Sequence, residues 1–340
     1  MRVTKEGSVR VDLVGGTLDL DPIHLILKNV ITLNVATSLK ALVCVEKNNE
    51  MFIEIESKDY KNITRFDEKD FSYQNLYEND FFGPMKFVCQ ILDYFKIHKG
   101  LKITLESGAP AGSGLGGSSA MGVTLFSALA DLLKQKFTRL EIVNKTKGIE
   151  SRILNQGIAG YQDFYPALYG GILALKAAPG EVKVEQLYTP ELKKYLESCI
   201  TLVFSGKSRL SGFNNWELYK SFFDKDPHIR QGLAEIAEIS YLTYQSIVQK
   251  SYQKTVEFIG QEGEKRAKLF PGINSEEMRS FYATMKKELP NTGMKVCGAG
   301  GGGCFIICHK PEDKKAVSNF ISNHRMQKLD FCIEQPLDEK

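Results

Sequence analysis

The sequence predicts an α+β protein with two lobes. Three observations carry that expectation. The 340 residues are enough for two lobes sharing a cleft. The first half is rich in strand-forming runs and holds a glycine run between a strand and a helix. Near Cys199 the pattern turns mostly helical before a second glycine run and an apolar strand. Hydrophobic residues at 43% and charged residues at 25% match ordinary globular usage and exclude a disordered or fibrous chain.

In chain order, residues 9–14, 31–46, 51–57 and 101–106 read as strands from their residue types and partial alternation. Residues 84–95 have helical spacing at Phe87, Ile91 and Tyr94/Phe95. After the glycines of 112–117, Met121, Leu125, Ala128/Leu129 and Leu132/Leu133 recur at three- and four-residue spacing, so a helix starts where the glycines end. A second helix is expected over 139–154, strands over 170–177, 182–187 and 200–204, helical sequence over 216–289, and a strand at Cys304–Cys308. A lobe boundary falls near 190–198, dividing the chain into 1–197 and 198–340, although no Pro/Gly/Ser linker marks it.

A net charge of +3, evenly spread, lacks the basic patch of a nucleic-acid binder. Lys5, Glu6, Arg10, Asp12 and Asp19 interrupt the start of the chain, so it has no signal-peptide core, and no apolar run is long enough to span a bilayer. The expected compartment is the cytoplasm, with neither nucleic acid nor membrane as partner. Seven scattered cysteines read as reduced thiols. Cys297, Cys304 and Cys308 cluster without a CxxC pair, and no metal site is expected there.

The first glycine run is Ala109-Pro-Ala-Gly-Ser-Gly-Leu-Gly-Gly-Ser-Ser-Ala120. Glycine lets backbone N–H groups approach a ligand, and the open N–H groups and dipole of a helix start favour an anion. Pro110, Gly112, Ser113, Gly114, Leu115, Gly116, Gly117, Ser118 and Ser119 are therefore the phosphate-binding candidates. Of the two serines, one can cap the helix while the other faces a metal ion or phosphate. Gly112, Gly114 and Gly117 also satisfy G-x-G-x-x-G, but a dinucleotide fold needs a strand after the helix, and 138–154 reads as another helix. The Gly-Lys-Ser/Thr of a P-loop is missing. The second run, from Lys295 to Cys304, leads into a strand and by itself reads as a tight turn with close backbone packing.

Taken together, the motifs resemble those of the GHMP kinases. Arg10-Val-Asp-Leu-Val-Gly-Gly-Thr-Leu-Asp19-Leu20 looks like the family's N-terminal motif as sugar kinases carry it. The 110–120 segment is similar to its P-x-x-x-G-L-G-S-S-A loop with one extra glycine, and 298–303 to its C-terminal glycine turn. A fourth segment, from Gly160-Tyr-Gln-Asp163 to Gly170-Gly171, looks like the stretch that supplies the family's catalytic aspartate. The anchors span nearly the whole chain. Gly15-Gly16, Gly-x-Gln-Asp and Ser205-Gly-Lys-Ser-Arg209 are similar to the heptose-phosphate kinases, with Leu18 and Ser205 departing from their pattern.

The resemblance implies the two-lobe GHMP kinase fold, with a ribosomal protein S5 domain 2-like, ATP-binding lobe in 1–197 and a ferredoxin-like lobe in 198–340. It implies transfer of phosphate from ATP, with Mg²⁺, to a hydroxyl of a sugar or sugar phosphate, most closely a heptose 7-phosphate. A galactokinase- or mevalonate kinase-like enzyme, and a non-catalytic sensor on the same fold, stay open. Phosphoryl transfer asks the protein to align the hydroxyl, neutralise charge and hold Mg²⁺. By resemblance Asp163 is the base or orienting carboxylate and Arg10 its cationic partner. Ser118 and Glu150 would hold Mg²⁺ through oxygen. Asp19, Gly16, Gly300 and Gly301 fall to the substrate, and Lys207 and Arg209 to a substrate phosphate. Each charged residue also has a plain structural role open to it. Asp163 and Asp19 could belong to turns, Arg10 to a surface ion pair, Glu150 to a solvated helix face, and Lys207 and Arg209 to solvated loops.

Overall fold

The structure, a computed structural model, describes residues 1–154, 159–207, 215–270 and 272–338, with 215–217 as backbone alone. The first half contains β1 (Arg2–Val14), α1 (Ile23–Ile26), β2 (Ile31–Lys47), β3 (Phe52–Ser57), β4 (Asn62–Asp67), α2 (Lys86–Tyr94), β5 (Leu101–Ser107), α3 (Gly117–Leu132) and α4 (Arg139–Ile153). Next come α5 (Tyr165–Tyr169), β6 (Ile172–Ala178), β7 (Glu181–Gln186), α6 (Pro190–Cys199) and β8 (Ile200–Phe204). The chain continues through α7 (Asn215–Phe223), α8 (Pro227–Val248), α9 (Tyr252–Leu269), α10 (Glu276–Glu288), β9 (Gly293–Val296), β10 (Cys304–Cys308), α11 (Lys314–Asn323) and β11 (Gln327–Leu329). The fold is α+β. Among the described residues no helix is long and apolar enough to cross a membrane.

Two compact units interleave along the chain. One takes Met1–Val9, Leu39–Ala111 and Gly116–Leu168, and the other Arg10–Ser38, Gly112–Leu115 and Tyr169–Lys340. β1 and β2 each contribute residues to both.

In the first unit the strands run in the order β4-β3-β5-β2, with β3 and β5 parallel and the other neighbours antiparallel. Burial alternates along β3 and β5, where Ile53, Ile55, Leu101, Ile103 and Leu105 face the core. Helix α3 is buried on most sides through Val123, Leu125, Phe126 and Leu129. It lies so close to α2 that a Cβ on Gly122 would sit 2.5 Å from the Phe87 ring. Phe126 also packs on Phe95 and Phe137, with ring centroids 4.7 and 5.1 Å away. Helix α4 begins on a capping box in which Thr138 and Glu141 each accept from the other's backbone N–H.

In the second unit the first residues of β2 pair with β6, and β6 with β7, both antiparallel. A separate antiparallel sheet has the order β11-β8-β10-β9. Its central strand β10 is buried throughout, which explains the unbroken apolar run Cys304–Cys308. Phe305 and Ile307 pack with Val203, Met278, Phe281 and Phe320. A second core gathers Leu18, Ile23, Phe222, Leu233, Ile236 and Phe270.

The structure goes beyond the sequence expectations in several places. β1 starts at Arg2, and its residues 2–6 are exposed on alternate positions and hide their strand character in charge. Helix α6 starts on Thr189, whose hydroxyl accepts from Leu192 N, with Pro190 in the first turn. β4, β9 and β11 are short, and β4 and β11 are largely exposed, so neither length nor periodicity reveals them; α11 does carry helical spacing in buried Val317, Phe320 and Ile321, which the sequence reading passed over.

Candidate active site

In the first unit, Gly116 is the N-cap of α3 at φ +72°, a conformation that suits glycine. The expected serine cap is not formed. The N-cap position falls to Gly116, which has no side chain to offer, and Ala120 N bonds back to Gly116 O at 2.9 Å. Asp163 stands beside this turn: a Cβ on Gly116 would lie 3.1 Å from its Cβ and Cγ. Tyr161, Gln162 and Phe164, its neighbours in sequence, are buried.

Glu150 projects from α4 and is only 7% exposed, so it is no solvated helix-face residue. Ser119 Oγ donates to its Oε2 at 2.7 Å. Burial pushes the Glu150 carboxyl up to about 7; the hydroxyls of Ser119 and Ser118 oppose that shift, and the Asp163 charge adds to it. Ser118 itself is exposed at the helix start. Two neighbouring carboxylates that repel each other, with hydroxyl oxygens beside them, form a hard-oxygen donor set that fits Mg²⁺, which takes few protein ligands and completes its shell with phosphate and water.

In the second unit, residues 112–115 lie backbone to backbone against the second glycine run. Cys304 N donates to Ser113 O at 2.6 Å. A Cβ on Gly298 would stand 2.7 Å from Gly114 O, and one on Gly303 would stand 2.6 Å from Ser113 O. Only glycine fits there. Arg10 is buried, with Nη1 donating to Gly114 O at 2.7 Å and its backbone N donating to Leu115 O at 3.0 Å, so it is not a surface ion pair. Gly301 N bonds to Ile273 O at 2.8 Å, and Gly300 packs against the same residue. Gly15 is buried with Gly16 beside it, and Asp19 is 3% exposed.

Residues 84–171 match the GHMP kinases N terminal domain. That match covers the part of the chain that holds α3, α4 and Asp163. It is 25% identical over 338 residues to the bifunctional fucokinase/GDP-fucose pyrophosphorylase of Arabidopsis thaliana, covering 95% of this chain and 31% of that one. It is 23% identical over 327 residues to the D-glycero-alpha-D-manno-heptose 7-phosphate kinase of Campylobacter jejuni, covering 96% and 94%. The chain spans about a third or less of the bifunctional fucokinases it matches, 31% and 26%. Its fold is like that of the Methanococcus jannaschii mevalonate kinase, with TM-score 0.75, 20% identity and coverage of 98% and 99%. These relatives are kinases.

The remaining candidates fall as follows. Lys207 is exposed and paired with Glu277, whose carboxyl it holds down at about 2. Its carbonyl accepts from Gly303 N at 3.0 Å, so the residue lies next to the glycine turn. Arg209 lies outside the described residues. Tyr219 on α7 escapes the sequence reading. Burial, followed by the carboxylates of Asp21 and Asp19, pushes its phenol up to about 12. Its buried hydroxyl has no hydrogen-bond partner among the described residues. A tyrosine inside a helix carries no mark of this in sequence. Asp12, Glu262, Arg266 and Lys295, all buried, were missed as well. Only Asp12 had a usable signal, two positions after Arg10 on one face of a strand.

Proposed function

We propose that this chain is a GHMP-type kinase that moves the γ-phosphate of ATP, with Mg²⁺, onto a hydroxyl of a sugar or sugar phosphate of the heptose 7-phosphate kind. The single observation that carries the reading is the carboxylate of Asp163 held at the N-terminus of α3, next to Glu150 and the serine hydroxyls. An anion and a reacting hydroxyl are what such a place accommodates. The likeness to a heptose 7-phosphate kinase along 96% of the chain supports the choice of sugar.

In this reading Pro110 and the backbone of 112–117 hold the nucleotide phosphates. Ser118 and Glu150 hold Mg²⁺, which when bound supplies charge neutralisation on the phosphoryl oxygens. Asp163 orients the substrate hydroxyl and accepts its proton as the new oxygen–phosphorus bond forms and the bond to the leaving ADP oxygen breaks. Arg10, always cationic, offsets charge on the transferred group. Asp19 accepts hydrogen bonds from sugar hydroxyls, with Gly16, Gly300 and Gly301 as backbone lining. Lys207 and Arg209 meet a substrate phosphate, and for this Lys207 exchanges Glu277 for the ligand.

Incubation with Mg·ATP and a panel of sugars and sugar phosphates, read by mass spectrometry, tests the proposal. One added phosphate on a heptose phosphate is the expected result. ATP binding with no phosphorylated product from any member would favour a sensor instead.

A further inference from the structure

Four charged side chains meet in the second unit with almost no exposed surface: Asp12 and Glu262 at 0%, Lys295 at 1% and Arg266 at 3%. Lys295 Nζ lies 2.7 Å from Asp12 Oδ2 and 3.6 Å from Glu262 Oε2. Arg266 Nη1 approaches the same Asp12 oxygen at 3.5 Å. A buried ion group costs desolvation that apolar residues of equal size would not, so it is a poor device for stability alone.

The way the cluster uses its donors points elsewhere. A guanidinium opposite a carboxylate can form two parallel hydrogen bonds. Arg266 does not do so. It gives Nη2 to the carbonyl of Gly298 at 2.8 Å, meets Asp12 only at long range, and leaves its Nε and Asp12 Oδ1 without partners among the described residues. Glu262 likewise turns Oε1 to the N–H of Gly15 at 3.2 Å. Both residues thus trade charge pairing for a grip on glycine backbone. Gly298 in turn abuts Gly114, the residue whose carbonyl also receives Arg10.

We propose that Asp12, Lys295, Glu262 and Arg266 form a positioning cluster, in which Arg266 sets the Gly298 turn and through it residues 112–115 for the nucleotide phosphates. The nucleotide half of this inference rests on the kinase reading above. None of the four is a catalytic residue; they act through the glycines.

The test uses Arg266→Lys in the full chain. Lysine keeps a charge beside Asp12 but has no second arm for the Gly298 carbonyl. Amide hydrogen exchange without nucleotide should rise about tenfold in peptides covering 112–115 and 297–304 and stay unchanged in the β3–β5 strands, the loss expected for about one hydrogen bond. Calorimetric Kd for Mg·ATP should rise by about the same factor in a variant that still melts cooperatively. Should Arg266→Lys fail to fold, the charge-neutral double variant Asp12→Asn/Lys295→Met removes the two charges that surround Arg266 in the cluster and should give the same pattern. Unchanged exchange in both glycine segments, or raised exchange with wild-type ATP affinity, overturns the inference. Wild-type protein that binds no Mg·ATP overturns the kinase reading, while the exchange comparison still decides whether the cluster holds the turn.

Discussion

Gly116 and Asp163 touch: a methyl group on the glycine would lie 3.1 Å from two carbons of the aspartate, at the point where α3 begins. Gly116→Ala therefore meets two penalties, a left-handed φ of +72° and a displaced carboxylate. The backbone cost is about 1–2 kcal/mol, small enough for the protein to fold. Turnover should drop by at least about tenfold, as expected when a reacting group is misplaced. Steady-state kinetics beside a thermal melt check this, and normal turnover in the variant would detach Asp163 from the reaction.

Asp163→Asn keeps the size of the side chain and removes the proton acceptor. Turnover should fall by about 10²–10⁴-fold with Mg·ATP affinity little changed. A folded variant that loses less than about tenfold would leave the aspartate a positioning role only.

Glu150 predicts an inverted pH dependence for the metal-free protein. Its carboxyl titrates near 7 when folded against 4.5 for an ordinary glutamate, so between those values the folded state holds the extra proton. The stability from this group is complete below about pH 4.5 and is lost as pH rises through about 7, a change of about 3 kcal/mol. Melting temperatures in chelator, at about pH 5 and about pH 8, should show that decline in wild type and a flatter response in Glu150→Gln. Identical slopes would mean that the buried carboxyl is already ionised.

Tyr219→Phe removes a buried hydroxyl with no hydrogen-bond partner among the described residues. Deleting it should leave stability unchanged or raise it by up to about 1 kcal/mol, while KM for the sugar rises about three- to tenfold, the range for one hydrogen bond to the substrate. A stability gain with unaltered KM would show that the hydroxyl serves no ligand.

Several of these features could be read before any coordinates. The glycines at 112–117, a strand before them and apolar spacing after them marked a helix start, and α3 does begin at Gly117. Arg10 and Glu150 were picked out as residues, but their burial was not, since burial depends on elements far away in the chain. The apposition of 112–115 with 297–304 was invisible for a different reason. It is made by main-chain atoms, and those atoms are the same in every residue. Lys295 gave no warning either: beside a glycine run a lysine looks like a solvated turn cation, yet it is enclosed by Asp12 and Glu262. Tyr219 sits among other aromatic residues on α7, where packing is the ordinary reading.

The glycine-on-glycine packing also limits how this sequence can vary. Where two side chains touch, one can shrink as the other grows, and the pair can drift together through sequence space. At Gly298 the opposing atom is the Gly114 carbonyl oxygen, and at Gly303 it is the Ser113 carbonyl oxygen. A carbonyl has no smaller version. Gly114, Gly298 and Gly303 therefore lack compensating partners, and in a saturation library they should stand as fixed letters.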